Sequence, residues 1–361
     1  MLGAQFLYNT VGSGLYCHGG SLLVTAGGDL LAAWYAYPEL EHADATLVVA
    51  RRPRGADAWL PSEMPIAPSS WSAGNPVLFG EPSGRIWLFF VLLEGAYWTD
   101  AVLHGAYSDD AGRSWSRPTT LLPTRGMMVR HPPIQCADGE WLLPAYDERT
   151  NQATLLAARP PFTDWRVAHV FADVPLIQPV LVREPDRLTL LFRPASDPRV
   201  IWRSHSTDEG RRWSPPMRTS LPNPLSGISA LSVGGRLAVV YNHTERHERR
   251  PLSLAASDDG GRCWSEPRLI DDMAGELSYP SFVPTPDGTL HGLYTYNRRL
   301  IKYVQLDASW VTKLRLKPPG DSRTAGEGES SLLGGRNAAA LRQLLEPNTC
   351  SFARIAASED V

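Results

Sequence analysis

Along most of the chain, short apolar runs alternate with turns that carry Gly, Asp or Pro. An apolar run, a turn and a second run make a unit first seen in SLLVTAGGDLLAAW (21–34). The unit returns as NPVLFGEPSGRIWLFFV (75–91), HPPIQCADGEWLLPAY (131–146) and QPVLVREPDRLTLLFR (178–193). Two more copies are ISALSVGGRLAVVY (228–241) and YPSFVPTPDGTLHGLY (279–294). Runs of this length with β-branched and aromatic residues, closed by turn formers, predict β-hairpins. Helical periodicity is nearly absent before residue 330, which argues against a doubly wound α/β sheet.

A second pattern runs out of phase with the hairpins. YSDDAGRSW (107–115), HSTDEGRRW (205–213) and ASDDGGRCW (256–264) each contain S-x-D-x-G-x-x-W. A worn copy, AARPPFTDW (157–165), keeps the tryptophan. With Trp59 and Trp310 added, the series Trp59, Trp115, Trp165, Trp213, Trp264 and Trp310 advances by 46 to 56 residues at each step. Six hairpins, each with a third strand and a Trp turn, predict an all-β six-bladed propeller of four-stranded antiparallel blades over residues 1–316. The turn itself is expected to be structural. Its Asp can accept from the turn's own backbone N–H groups, its Gly permits a positive φ, and its Trp covers the strand junction. A device repeated around the rim cannot be a single converging site. Residues 317–361 are expected to form a polar linker (317–331) and a short helix (337–347) that ends at a Pro.

Composition narrows the class. The 361 residues include 35 basic and 38 acidic side chains, a net charge of −3, so no basic excess points to nucleic acid. No run of about 18 apolar residues suggests a membrane span. The N-terminus has no positive n-region or apolar h-region, so a cytoplasmic location is expected. The cysteines Cys17, Cys136, Cys263 and Cys350 form no CxxC and read as free thiols, with no metal or cofactor expected.

The three S-x-D-x-G-x-x-W turns at blade spacing resemble the Asp boxes of the sialidase superfamily, over roughly residues 15 to 310. The resemblance implies a six-bladed propeller with boxes on the rim and the site on the axis. It also implies three arginines gripping a sugar carboxylate, a Tyr nucleophile paired with a Glu, and an Asp acid/base. Residue by residue, Arg193 and Arg250 resemble two of the arginines, Tyr294 the nucleophile and Asp44 the acid/base. Two positions depart from the family. His18, in CHGGSLLV, stands at or near the place of the first arginine, and Gln178 stands where the Glu should be. A neutral amide can hold a phenol but cannot take its proton. From blade position alone, Arg130 could restore a positive charge and Glu148 could serve as a base.

Independently of the resemblance, residues entering or leaving the hairpins at one end should face a common funnel. That set includes His18, Asp44, Asn75, Arg130, His131, Glu148, Gln178, Arg193, Arg250, Tyr279 and Tyr294. His18 either caps its strand or serves the site as a hydroxyl-binding or acid/base group. The expected function is an exo-acting, sialidase-like glycoside hydrolase on an anionic sugar. A glycan-binding propeller, or a sugar-modifying enzyme that works by elimination with Tyr and His, remains the alternative. The expected partner is a small anionic carbohydrate, with Gln178, Tyr279 and His131 among the residues that bind it.

Overall fold

The structure, a computed structural model, describes residues 1–7, 15–66 and 70–315. Its strands form six antiparallel sheets arranged as the blades of a propeller. Blade 2 shows the unit: Ser72–Gly80, Ile86–Leu93, Ala101–Ser108 and Thr119–Leu122, in that order from the axis to the rim. Blade 4 (Leu176–Arg183 to Met217–Pro222) and blade 5 (Ser229–Val233 to Arg268–Asp271) repeat it. In blade 3 the innermost position is shared by two short strands, Met127–Val129 and Ile134–Gln135, which both pair with Trp141–Asp147.

Two blades differ from the simple expectation of a hairpin, a third strand and a Trp turn. Blade 1 has three strands among the described residues, Tyr16–Val24, Leu30–Tyr37 and Thr46–Arg52, with an isolated bridge from Val49 to Glu63 at its edge. Blade 6 takes its fourth strand from the other end of the chain. Gly3–Leu7 pairs antiparallel with Leu300–Asp307, from Gly3 opposite Gln305 to Leu7 opposite Ile301. The ring is thus closed by backbone hydrogen bonds between the two ends of the propeller, which also covers an open strand edge. Trp310 lies on a short helix, Ser309–Thr312, rather than in a box turn. The linker and helix expected over 317–361 lie outside the described residues.

The core lies between blades rather than within them. One cluster (Phe79, Phe89, Val129, Leu143, Phe162) joins blades 2 and 3, and another (Leu181, Leu190, Phe192, Leu155, Trp202) joins 3 and 4. Strand residues alternate between the two faces of a sheet. Each blade is buried on both faces, so both phases of the alternation are apolar, and this accounts for near-continuous runs such as Ile86–Leu93.

The boxes are the rim turns that the sequence predicts. In each, the Ser Oγ donates to the Asp, at 2.7 Å for Ser108–Asp110 and 2.8 Å for both Ser206–Asp208 and Ser257–Asp259. The Asp then accepts from backbone N–H groups further along the turn, as Asp259 does from Arg262 and Cys263 at 2.9 Å. The box glycines take φ of 81–83° (Gly112, Gly210, Gly261), which a side chain would resist. Replacing Asp259 by Ala is expected to lower stability by about 1 kcal/mol, read as a lower urea midpoint with an unchanged slope.

Candidate functional site

The innermost strands of four blades break pairing at the same place. The register skips between His18 and Ser21, Gly74 and Val77, Ile177 and Val180, and Ser278 and Ser281. Each skip is a β-bulge, and a bulge re-aims a side chain. Its first extra residue is left-handed: Gly19 (φ 64°), Asn75 (48°), Gln178 (48°) and Tyr279 (52°). Pro follows in three of the four, as Pro76, Pro179 and Pro280, and keeps its predecessor out of the right-handed helical region. Non-glycine residues held left-handed are uncommon and concentrate at functional sites. Here they carry Asn75, Gln178 and Tyr279 into one hydrogen-bonded cluster around the axis.

Arg193 anchors that cluster. Its Nη1 donates to Gln178 Oε1 at 3.0 Å and to Tyr279 Oη at 3.3 Å. Gln178 Nε2 donates to Tyr279 Oη (3.2 Å) and Tyr146 Oη (3.4 Å), and Asn75 Nδ2 reaches Tyr146 Oη at 3.5 Å. Burial alone would push the Tyr279 hydroxyl up. Arg193 and Arg249 overcome it, so Tyr279 ionises below an ordinary tyrosine. Its neighbours go the other way: burial raises both Tyr146 and Tyr35.

His18 is fully buried, with its ring edge-on to Tyr279 at 4.4 Å between centroids. Burial, then Arg298, Arg249, Arg130 and Arg193, drive its pKa well down, so the imidazole is neutral at neutral pH. Neither ring nitrogen has a hydrogen-bond partner, and the nearest carboxylate oxygen, Glu41 Oε1, is 3.9 Å away. Arg130 is buried below Tyr279. It reaches across from blade 3 and donates to the backbone carbonyls of Gly20 (2.9 Å) and Tyr279 (3.1 Å), so it braces two bulges. Its guanidinium lies 5.1 Å from the Tyr279 ring centroid.

Two more arginines complete the funnel. Arg249 donates to Glu276 Oε1 at 3.0 Å and lies 5.8 Å from the Tyr279 ring. Arg298 donates to Glu276 Oε2 at 3.1 Å and also to Glu41. Burial works against the charge on Arg298, but Glu41 and Glu276 more than restore it. Burial likewise opposes ionisation of Glu276, but Ser278 and the two arginines hold it below the ordinary carboxylate range. Tyr35, Tyr37 and Trp98 form an aromatic wall beside His18.

Not every residue expected at the site is placed there. Tyr294 is buried, and its hydroxyl donates to Asp271 at 2.7 Å, where Lys302 also binds. Its neighbour two residues on, Tyr296, points elsewhere too, to the Ala274 carbonyl. The phenol among the arginines is that of Tyr279. Arg250 is turned outward, onto Glu248 and Asp272, and the adjacent Arg249 faces the site. Arg130 serves backbone carbonyls instead of standing free as a third clamp. His131 is buried beside it and bonds the Ile228 backbone. Glu148 is half-buried and near Arg193; burial raises its carboxyl and Arg193 opposes the rise. Asp44 is exposed and left-handed (φ 55°), on the wall of an open cavity with His42, Trp71 and Tyr97. Glu41, Arg249 and Glu276 were not foreseen as site residues. The signal for Arg249 was the Arg249–Arg250 pair itself, which cannot say which member faces inward.

The fold is a six-bladed propeller with Asp boxes on its rim and arginines lining its axis. The chain belongs to the BNR repeat-like domain family, which matches residues 28–291. Its fold resembles that of a Hadza microbial sialidase (TM-score 0.70, 20% identity, 83% of this chain and 67% of that one). It also resembles a leech intramolecular trans-sialidase (0.71, 15%, 86% and 70%) and one from Ruminococcus gnavus (0.71, 14%, 85% and 98%). No curated protein matches it in sequence.

The packing around Tyr279 leaves no spare volume at Gly227. A Cβ there would lie 2.9 Å from Tyr279 Cδ1 and 3.2 Å from Gln178 Oε1. Gly227→Ala is expected to cost about 1–3 kcal/mol by overpacking and to displace the phenol. Thermal unfolding checks the first effect, and a crystal structure of the variant checks the second.

Proposed function

We propose that the protein is a sialidase-like exo-glycosidase acting on a sugar that bears a carboxylate. The observation that carries this reading is a convergence of buried polar atoms without protein partners. His18 Nδ1 and Nε2, Arg193 Nε and Arg130 Nε all belong to the one cluster. Buried polar atoms are normally satisfied, and a cluster of unsatisfied nitrogens beside arginines suits an anionic, hydroxyl-rich ligand. Arg193 and Arg249 take the carboxylate, with Arg298 behind them. A bidentate guanidinium–carboxylate contact gives both energy and orientation. His18, neutral, receives a sugar hydroxyl in a place where a third arginine would demand charge.

Tyr279 takes the nucleophile's role, and Asp44, assigned from the family resemblance and the open cavity it lines rather than from a contact with the cluster, takes the acid's. Tyr279 enters as its phenolate: its oxygen bonds to the anomeric carbon while the glycosidic C–O bond breaks, and the leaving oxygen takes a proton from Asp44. Water then attacks the anomeric carbon and gives a proton to Asp44, and the bond to Tyr279 breaks. Tyrosine is the known exception to two-carboxylate glycosidase chemistry, in sialidases. Likeness at these identities supports the fold, and the chemistry is argued from the site.

Arg249→Ala is expected to abolish saturable binding of a carboxylate sugar in calorimetry, and Arg250→Ala to leave it intact. A panel of fluorogenic sialosides, glucuronides and galacturonides tests turnover, and a neutral glycoside as the sole substrate would overturn the clamp. With a substrate in hand, Asp44→Asn should slow glycosides with poor leaving groups by about 100-fold or more. Activated aryl glycosides, which need little protonation, should be spared. Equal loss on both would remove Asp44 from the acid's role.

A further inference from the structure

We propose that Gln178 is a positioning residue that directs a hydrogen-bond donor at the Tyr279 oxygen and so favours its phenolate form, with no carboxylate partner to take the proton. This rests on the reading of Tyr279 as the reactive group, but its evidence and its test are independent of any substrate.

A guanidinium has donors and no acceptor. Arg193 Nη1 lies 3.0 Å from one end of the Gln178 amide, so that end is the oxygen. The amide nitrogen is therefore forced toward the phenols, 3.2 Å from Tyr279 Oη and 3.4 Å from Tyr146 Oη. The Tyr279 oxygen thus receives an obligatory donor from Gln178 and a second from Arg193 at 3.3 Å. Among the described residues its hydroxyl donates to no protein acceptor. Hydrogen bonds made to the charged form favour that form. A Glu at 178 would present an acceptor and a like charge, and so would favour the neutral phenol.

The cations that face Tyr279 from the other blades act in the same direction as these donors. Arg130 lies below its ring at 5.1 Å and Arg249 beside it at 5.8 Å. His18, edge-on at 4.4 Å, is uncharged. Glu41 opposes, but it is held by Arg298 and Tyr35. Tyr35 and Tyr146 stay protonated, since burial raises both. Tyr279 and Gln178 pack side by side over Gly227, in the space where a side chain at 227 would lie. The phenol oxygen therefore faces two donors before a ligand arrives, which favours loss of its proton to solvent where the neutral amide at position 178 cannot take it.

The test is a tyrosinate titration of the full chain, followed at 295 nm, for wild type, Tyr279→Phe, Gln178→Glu and Gln178→Leu. Wild type is expected to show one tyrosinate step below the ordinary tyrosine range, absent in Tyr279→Phe. Gln178→Glu should move that step up by about one unit or more. Gln178→Leu, which removes the donor without adding charge, should move it up less, and it keeps the test open if the Glu variant fails to fold. A wild type with no step below the ordinary range overturns the proposal. So does a step that stays in place in Gln178→Glu, or in Gln178→Leu where the Glu variant does not fold. A sugar panel that yields no turnover leaves this result standing, and a positive panel does not rescue a failed titration.

Discussion

The site depends on one backbone device, the bulge near the start of the inner strand. A propeller's inner strands crowd the axis edge-on, and regular pairing there sends successive side chains into the faces between blades. An extra residue in the left-handed conformation turns one side chain out of that alternation and into the funnel. The conformation is costly for Asn75, Gln178 and Tyr279, and it persists because surrounding structure over-determines it. Pro follows each of the three, and Arg130 holds the Tyr279 and Gly20 carbonyls from the far side of the axis. Where blade 1 needs the same turn it uses Gly19, whose missing side chain leaves room for the Tyr35 ring. The bulges thus place Asn75, Gln178 and Tyr279 together at the axis.

The second constraint is electrostatic. Four arginines near one axis would repel each other and lose hydration. Glu41 and Glu276 divide that charge: Glu276 bridges Arg249 and Arg298, and Glu41 also bonds Arg298. A buried ion pair is weak evidence for stability, since desolvation offsets the attraction. Its value here is orientation, because the Arg249 and Arg298 guanidinium groups are held in place. Arg130 and Arg193 have no carboxylate among their hydrogen-bond partners: Arg130 donates to backbone carbonyls, and Arg193 spends its Nη1 on Gln178 and Tyr279, so its charge remains directed at the phenol and the funnel.

The fold was legible in the sequence because its signals are periodic. Six hairpins and six tryptophans at near-equal spacing survive local irregularities, and the box turns fold as their Ser, Asp and Gly require. The closing strand Gly3–Leu7 was not legible, since its partner lies some three hundred residues away and a five-residue strand has no period of its own. The site was legible as a set and not as individuals. Arg249 and Arg250 are adjacent on the loop before Leu252–Ser257, and no period marks which of two adjacent loop residues turns to the axis. Tyr279 and Tyr294 both stand at ends of blade 6 strands, and both follow the hairpin pattern. Only the bulge at Ser278–Ser281, invisible to a period-two reading, separates the phenol in the funnel from the one packed on Asp271.

The two departures from the sialidase pattern are coupled through Tyr279. His18 touches its ring and Gln178 its hydroxyl, so a change at either position acts on the same group. An arginine at 18 would add a cation against the ring, where Arg130 and Arg249 already stand, and would need a carboxylate that Gln178 does not supply. A neutral imidazole with a neutral amide avoids that demand and leaves Arg193 and Arg249 as the charges that act on the phenol. The pair therefore reads as one consistent alternative arrangement of arginines around a tyrosine, in which the phenol oxygen receives donors from Gln178 and Arg193 and faces no proton acceptor among the described residues.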